Sequence, residues 1–99
     1  MRYIWDDAPL EIPEDMLMVC VFADTTGLYT PDEVDECNLA YLLFPESIVD
    51  EWFYTRCAEN YPFGWTTEDW LRHNAAEDSL GLCNFARKRG FEPRREGSL

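Results

Sequence analysis

The apolar positions of this chain first form an unbroken run and then recur at helical spacing. Residues 16–23 read Met-Leu-Met-Val-Cys-Val-Phe-Ala, eight apolar positions with β-branched and aromatic members. That length suits a strand buried on both sides better than a helix. Asp24-Thr25-Thr26-Gly27 follows with turn chemistry. Upstream, residues 2–5 read as a short strand. Residues 6–15, with Pro9 and Pro13, read as an extended acidic loop.

The strongest helix start is Thr30-Pro31-Asp32-Glu33. Thr30 is suited to cap, Pro31 to the first helical position, and Glu33 to the reciprocal bond of a capping box. Val34, Cys37, Tyr41 and Phe44 then recur at helical spacing, and Leu39, Leu42 and Leu43 widen the stripe up to Pro45. Residues 39–44 also fit a strand, and six residues do not separate the two readings. A second helix is predicted over 46–60, with Ser47 and Asp50 as a cap pair. Its inner face is Ile48, Val49, Trp52, Phe53 and Cys57.

Tyr61-Pro62-Phe63-Gly64-Trp65 is an aromatic loop, and Thr66 with Asp69 opens a third helix through Trp70 and Leu71. Asn74 with Glu77 marks a fourth, ending at Arg89. Gly90 suits the left-handed stop position, with Phe91 as its apolar contact and Pro93 beyond. The expected fold is α+β: about four short helices packed on a small two- to three-stranded sheet. Residues 1–92 form one compact domain, and 93–99 a flexible basic tail. The strand at 16–23 needs a partner for its backbone groups. Residues 2–5, residues 27–30 or a second copy of the chain are the candidates.

Composition sharpens the picture. The chain has 99 residues, 46% of them hydrophobic and 15% aromatic. That is ample for one core and unlike a disordered acidic tail. Twenty acids face eight bases, for a net charge of −12. The imbalance is uneven: residues 1–78 hold eighteen acids and three bases (−15), residues 79–99 two acids and five bases (+3). Such a surface repels nucleic acid and anionic membranes and attracts basic surfaces. No apolar run approaches the roughly 20 residues of a membrane span. Residues 1–7 lack the pattern of a signal peptide. The four cysteines therefore read as reduced thiols of a cytoplasmic protein.

Candidate chemistry is sparse. Cys20, Cys37, Cys57 and Cys83 are 17, 20 and 26 residues apart, without the close pairing of a zinc site. They read as core thiols, so no metal and no cofactor is expected. His73 is the one histidine, and its place at the end of a short helix satisfies the helix dipole without catalysis. The five glycines are isolated, so no phosphate-cradling loop is present. Arg87, Lys88, Arg89, Arg94 and Arg95 form a basic end. The acids Glu77 and Asp78, at the start of the preceding helix, argue against a nucleic-acid reading of it.

The acids open the predicted helices, where the dipole favours them. The missing partners at i+4 are the anomaly, with only Arg72 placed against Glu68 and Asp69. Asp32/Asp35, Asp32/Glu36, Glu33/Glu36 and Glu46/Asp50 are spaced to stand roughly 5–6 Å apart at Cβ, a loose imitation of nucleic-acid charge.

These features predict a non-enzymatic inhibitor or adaptor that binds a basic, nucleic-acid-binding partner protein. Its most specific form is a nucleic-acid mimic from a phage or mobile element, of anti-CRISPR or anti-restriction type, acting in the host cytoplasm. The expected contact residues are Asp32, Asp35, Glu36, Glu46, Asp50, Glu51 and Trp65. Asp6, Asp7, Glu11, Glu14 and Asp15 form an acidic lip. The alternatives are a structural or metal-binding module that self-associates as a homodimer, or a small enzyme using His73 and a cysteine.

Overall fold

In a computed structural model, described over residues 12–36 and 39–98, the chain is an α+β domain. Helices pack on a three-stranded antiparallel sheet of order β1-β2-β3. The apolar run forms β1 (Met16–Phe22), and its continuity has a physical cause. Leu17, Val19 and Val21 enter the main core on one face, and Met16 and Met18 a second cluster on the other. A strand buried on both faces cannot alternate apolar with polar residues. One helical turn, α1 (Ala23–Thr26), follows and is closed by Gly27 at φ 73°, the left-handed geometry that glycine adopts without strain.

Helix α2 (Pro31–Glu36) starts where expected but stops early. The stripe that would carry it to Phe44 is instead strand β2 (Leu39–Pro45). It is also the partner of β1, while residues 27–30 form no strand. The register sets Leu17 opposite Phe44, Val19 opposite Leu42 and Val21 opposite Ala40 on the core face, with Met18 opposite Leu43 behind. Helical spacing over residues 34–44 is outweighed by this pairing, because tertiary packing of both strand faces exceeds the small helix preference of Leu and Ala. Cys37 and residues 2–5 lie outside the described residues.

The second predicted helix is continuous over 46–60. It comprises α3 (Glu46–Trp52), a wider π-type segment at Phe53–Cys57 and a tighter turn at Ala58–Asn60. Val49, Trp52, Phe53 and Cys57 are buried and Ile48 packs partly against them. The Ser47/Asp50 cap is absent. Pro45 occupies the cap position without a side-chain bond, and the Glu46 N–H donates to the Asp15 carbonyl at 2.8 Å. A tertiary hydrogen bond thus does the work of a cap.

Helix α4 (Thr67–His73) opens with the predicted capping box, in which Thr66 Oγ1 accepts from the Asp69 N–H and the Asp69 carboxylate accepts from the Thr66 N–H. The fourth helix begins as a tight turn, Ala75–Asp78, and continues as α5 (Ser79–Lys88); Asn74 and Glu77 form no cap box there. Its end is as expected. Gly90 has φ 84°, its N–H donates to the Arg87 carbonyl, and the Phe91 N–H donates to the Ala86 carbonyl, the paired bonds of a Schellman stop. Phe91 packs on Phe44, ring centroids 6.2 Å apart. The chain beyond is no frayed tail. Arg94–Ser98 forms β3, antiparallel to β2 with an irregularity between Tyr41 and Leu42. Its polar sequence carries no strand signal, and β2's open edge supplies the bonds.

Candidate functional site

The sheet register assembles an acidic groove. Pairing of Met16 with Pro45 sets the start of β1 beside the end of β2, so the residues just outside each strand, Asp15 and Glu46, become neighbours. A turn closed by the Met16 N–H to the Pro13 carbonyl, 3.0 Å, fixes the approach of Asp15. Asp50 lies one helical turn beyond Glu46. With Pro45 and Ser47 these three acids line a groove of about 370 Å³. Asp15 is exposed, and Glu46 and Asp50 are half-buried. Chemically, such a groove attracts cationic side chains and steers their approach.

The predicted contact residues do not all belong to it. Glu46 and Asp50 do, and Asp15 joins them from the stretch read as a loose lip. Asp32 is exposed on α2. The side chains of Asp35 and Glu36 lie outside the described residues, as do Asp6, Asp7 and Glu11. Glu51 points elsewhere and is neutralised. Arg89 Nε donates to it at 3.3 Å, a second Arg89 nitrogen also donates, and this guanidinium holds the Glu51 carboxyl below its ordinary range. Arg89 in turn lies 4.4 Å above the Phe85 ring.

Trp65 is in a different place again. It stacks on Tyr61 at 5.1 Å with 7° between the rings and lies 5.9 Å from the His73 ring. Together with Tyr54, Pro62 and Phe63 it lines a separate groove of about 510 Å³. Phe63 at the loop tip is fully exposed. His73 sits in the last turn of α4, as the sequence suggests.

A second polar centre escapes sequence reading altogether. One oxygen of Asp78, Oδ2, accepts from Trp70 Nε1 at 2.9 Å, from the Tyr61 hydroxyl and from Cys57 Sγ at 3.5 Å. Trp70 is wholly buried and packs on Trp52 and Phe53, with centroids 5.3 and 6.0 Å away. The carboxylate therefore ties α4, the aromatic loop and the segment after α3 to the start of α5. The sequence assigns Asp78 only to a helix start, because its partners are 8, 17 and 21 residues away.

This environment disarms Cys57. Burial, with the Asp78 charge beside it, pushes its thiol from 9.0 up to about 12. Burial likewise pushes Cys83 up to about 11 and raises Cys20, and Tyr61 is raised by burial and then by Asp78. Reactive cysteines require the opposite shift. Cys20, Cys57 and Cys83 are free thiols, and among the described residues no three His, Cys, Asp or Glu side chains gather as metal ligands.

The raised values carry a pH consequence. A group whose folded value lies above its unfolded one stabilises the fold below the unfolded value, and that contribution is lost as pH climbs to the folded value. For Cys57 and Cys83 the window runs from 9.0 to about 12 and about 11. The urea midpoint is expected to fall between pH 8 and pH 11, and the folded protein should label slowly with a thiol reagent at pH 8. A midpoint that holds across the interval contradicts the neutral-thiol assignment.

Among the described residues no helix is long and apolar enough to cross a membrane. Comparison with protein-family models, with curated proteins and with solved structures finds no match to this chain.

Proposed function

We propose that this chain is a non-enzymatic inhibitor or adaptor that binds a basic, nucleic-acid-binding partner protein in the cytoplasm. The observation that carries the reading is the convergence of Asp15, Glu46 and Asp50 on one groove of a chain with net charge −12. Carboxylates held on a rigid strand end and helix start present fixed acceptors to Lys and Arg. The long-range field of the acidic chain accelerates encounter with a positive surface. Asp32 is exposed on α2 but does not line this groove, and Glu51, held by Arg89, does not belong to it either. In its most specific form the surface imitates nucleic-acid phosphates, as a phage-encoded antagonist of CRISPR or restriction machinery would.

The test is capture and kinetics together. Immobilised protein should retain a nucleic-acid-binding protein that salt releases and that added DNA or RNA displaces. The triple variant D15N/E46Q/D50N should lower the association rate at low salt by about tenfold or more and leave dissociation less changed. A captured partner whose association rate and salt dependence ignore the triple variant sinks the reading.

A further inference from the structure

The six described basic side chains in this acidic chain are unequally partnered. Arg72 pairs with Glu68 at 3.6 Å, Arg87 with Glu92 at 3.3 Å and Arg89 with Glu51, and Arg94 has a partner as well. Arg56 and Lys88 have no hydrogen bond or ion pair among the described residues, although acids outnumber bases twenty to eight. Both are exposed, and both line the same groove, of about 420 Å³.

Two helical stripes build this groove. Trp52, Arg56 and Glu59 recur at i, i+4 and i+7 on the segment that follows β2, and Gly81, Asn84 and Lys88 at i, i+3 and i+7 on α5. On α5 that spacing puts the trio on one helix face; Trp52, Arg56 and Glu59, which span the wider π-type segment and the tighter turn, face the same groove. Gly81 sets the floor. A Cβ there would come within 3.1 Å of Trp52 Cζ2, so its absence lets the indole lie against α5. The result is an apolar floor of Trp52 and Phe85 with two exposed cations, the carboxylate of Glu59 and the amide of Asn84 around it; the Arg56 charge also acts on the Glu51 carboxylate. Arg89 also borders the groove but is committed to Glu51.

A bare anion would use the cations and be repelled by Glu59. A ligand bearing both a phosphate and hydroxyls uses every group. Guanidinium and ammonium donors suit phosphate oxygens, a carboxylate accepts from vicinal hydroxyls, and an apolar floor suits the face of a sugar ring. Glu51 also lies within reach of Arg56, but its charge is balanced by Arg89, and at physiological salt charges beyond roughly 8 Å are largely screened.

We propose that the groove between residues 52–59 and α5 binds a small phosphate monoester of a hydroxylated sugar, with Arg56 and Lys88 on the phosphate and Glu59 on the hydroxyls. This site is separate from the acidic groove and independent of the partner proposed for it.

The experiment is a titration of the ¹⁵N-labelled full chain with three probes: inorganic phosphate, ribose 5-phosphate and AMP. Saturable shifts are expected at Gly81, Asn84 and Lys88 with at least one organic probe, with half-saturation at about 1 mM or below. Arg56→Gln and Lys88→Gln should each weaken that binding roughly tenfold, as expected for loss of a charged hydrogen-bond donor. Arg72→Gln should leave it unchanged. Glu59→Gln should weaken the organic probes and spare inorganic phosphate.

Tighter binding of AMP assigns the ligand to nucleotides, and equal binding of ribose 5-phosphate assigns it to sugar phosphates; either supports the site. No saturation by about 10 mM overturns it. So does binding that survives the double variant R56Q/K88Q, or inorganic phosphate binding as well as both organic probes. The substituted side chains are exposed, so the far-UV spectrum should confirm an intact fold in each variant.

Discussion

Replacing Asp78 by Ala is expected to destabilise the protein by about 4 kcal/mol, because three donors lose one acceptor. A hydrogen bond to a charged group contributes about 1.5–3 kcal/mol, and the half-exposed position of Asp78 argues for the lower end per bond. The largest share falls on Trp70. Its indole N–H reaches Asp78 from a side chain with no exposed surface, so the orphaned donor has no ready access to water. A domain of this size has a total stability of only about 5–15 kcal/mol, so the variant should be close to unfolding at room temperature. The urea midpoint should fall by roughly 2–4 M, given a slope of about 1–2 kcal/mol/M. Asp78→Asn keeps an acceptor oxygen without the charge and should lose about half as much. A loss below about 1 kcal/mol in the Ala variant would mean that these donors find water or other partners, and that the three-donor centre is not a structural anchor.

Phe44→Ala is expected to cost a similar amount, about 3–5 kcal/mol, by a different mechanism. Phe44 is fully buried on the core face of β2, opposite Leu17, and packs against Phe91 just beyond the α5 stop. Truncation removes the transfer energy of the ring and leaves a cavity between sheet and helices. The neighbours cannot close it, because Phe91 is held by the Ala86 carbonyl at 3.0 Å. The midpoint of thermal unfolding should drop by roughly 12–40 °C, at about 4–8 °C for each kcal/mol. Phe44→Leu preserves most of the volume and should cost no more than about 1.5 kcal/mol. Equal effects of the two replacements would deny Phe44 its place in the core and weaken the strand assignment of residues 39–45.

The two grooves illustrate how one chain of strong net charge can present opposite surfaces. At the acidic groove, register brings together Asp15 and Glu46, 31 positions apart in the chain. At the basic groove, helix packing brings Arg56 to Lys88, and neither has an ion pair among the described residues. The charge profile along the chain foretells the first in kind: acids dominate residues 1–78. It conceals the second, since Arg56 sits alone among acids in sequence. It also misplaces Glu51, which is drawn away from Glu46 and Asp50 by an arginine 38 positions later.

What the sequence determined by itself is the set of features whose causes are local. The unbroken apolar run announces a strand buried on both faces. Thr66 and Asp69 announce a helix start three residues wide. Gly90 and Phe91 announce a helix stop, and the stripe from Val49 to Cys57 announces an inner face. Each depends on residues within a turn or two of one another, where backbone geometry restricts the outcome.

Tertiary structure alone decided the rest. Residues 39–45 become a strand because β1 offers hydrogen bonds and two apolar faces, and Arg94–Ser98 because β2 has an open edge. Asp15 replaces a helix cap because the register delivers its carbonyl. Asp78 serves the core because Trp70, Tyr61 and Cys57 arrive there from separate elements. In each case the deciding partner is remote in sequence. A remote contact leaves no spacing for the chain to display, because its energy is realised only when distant segments have been packed together.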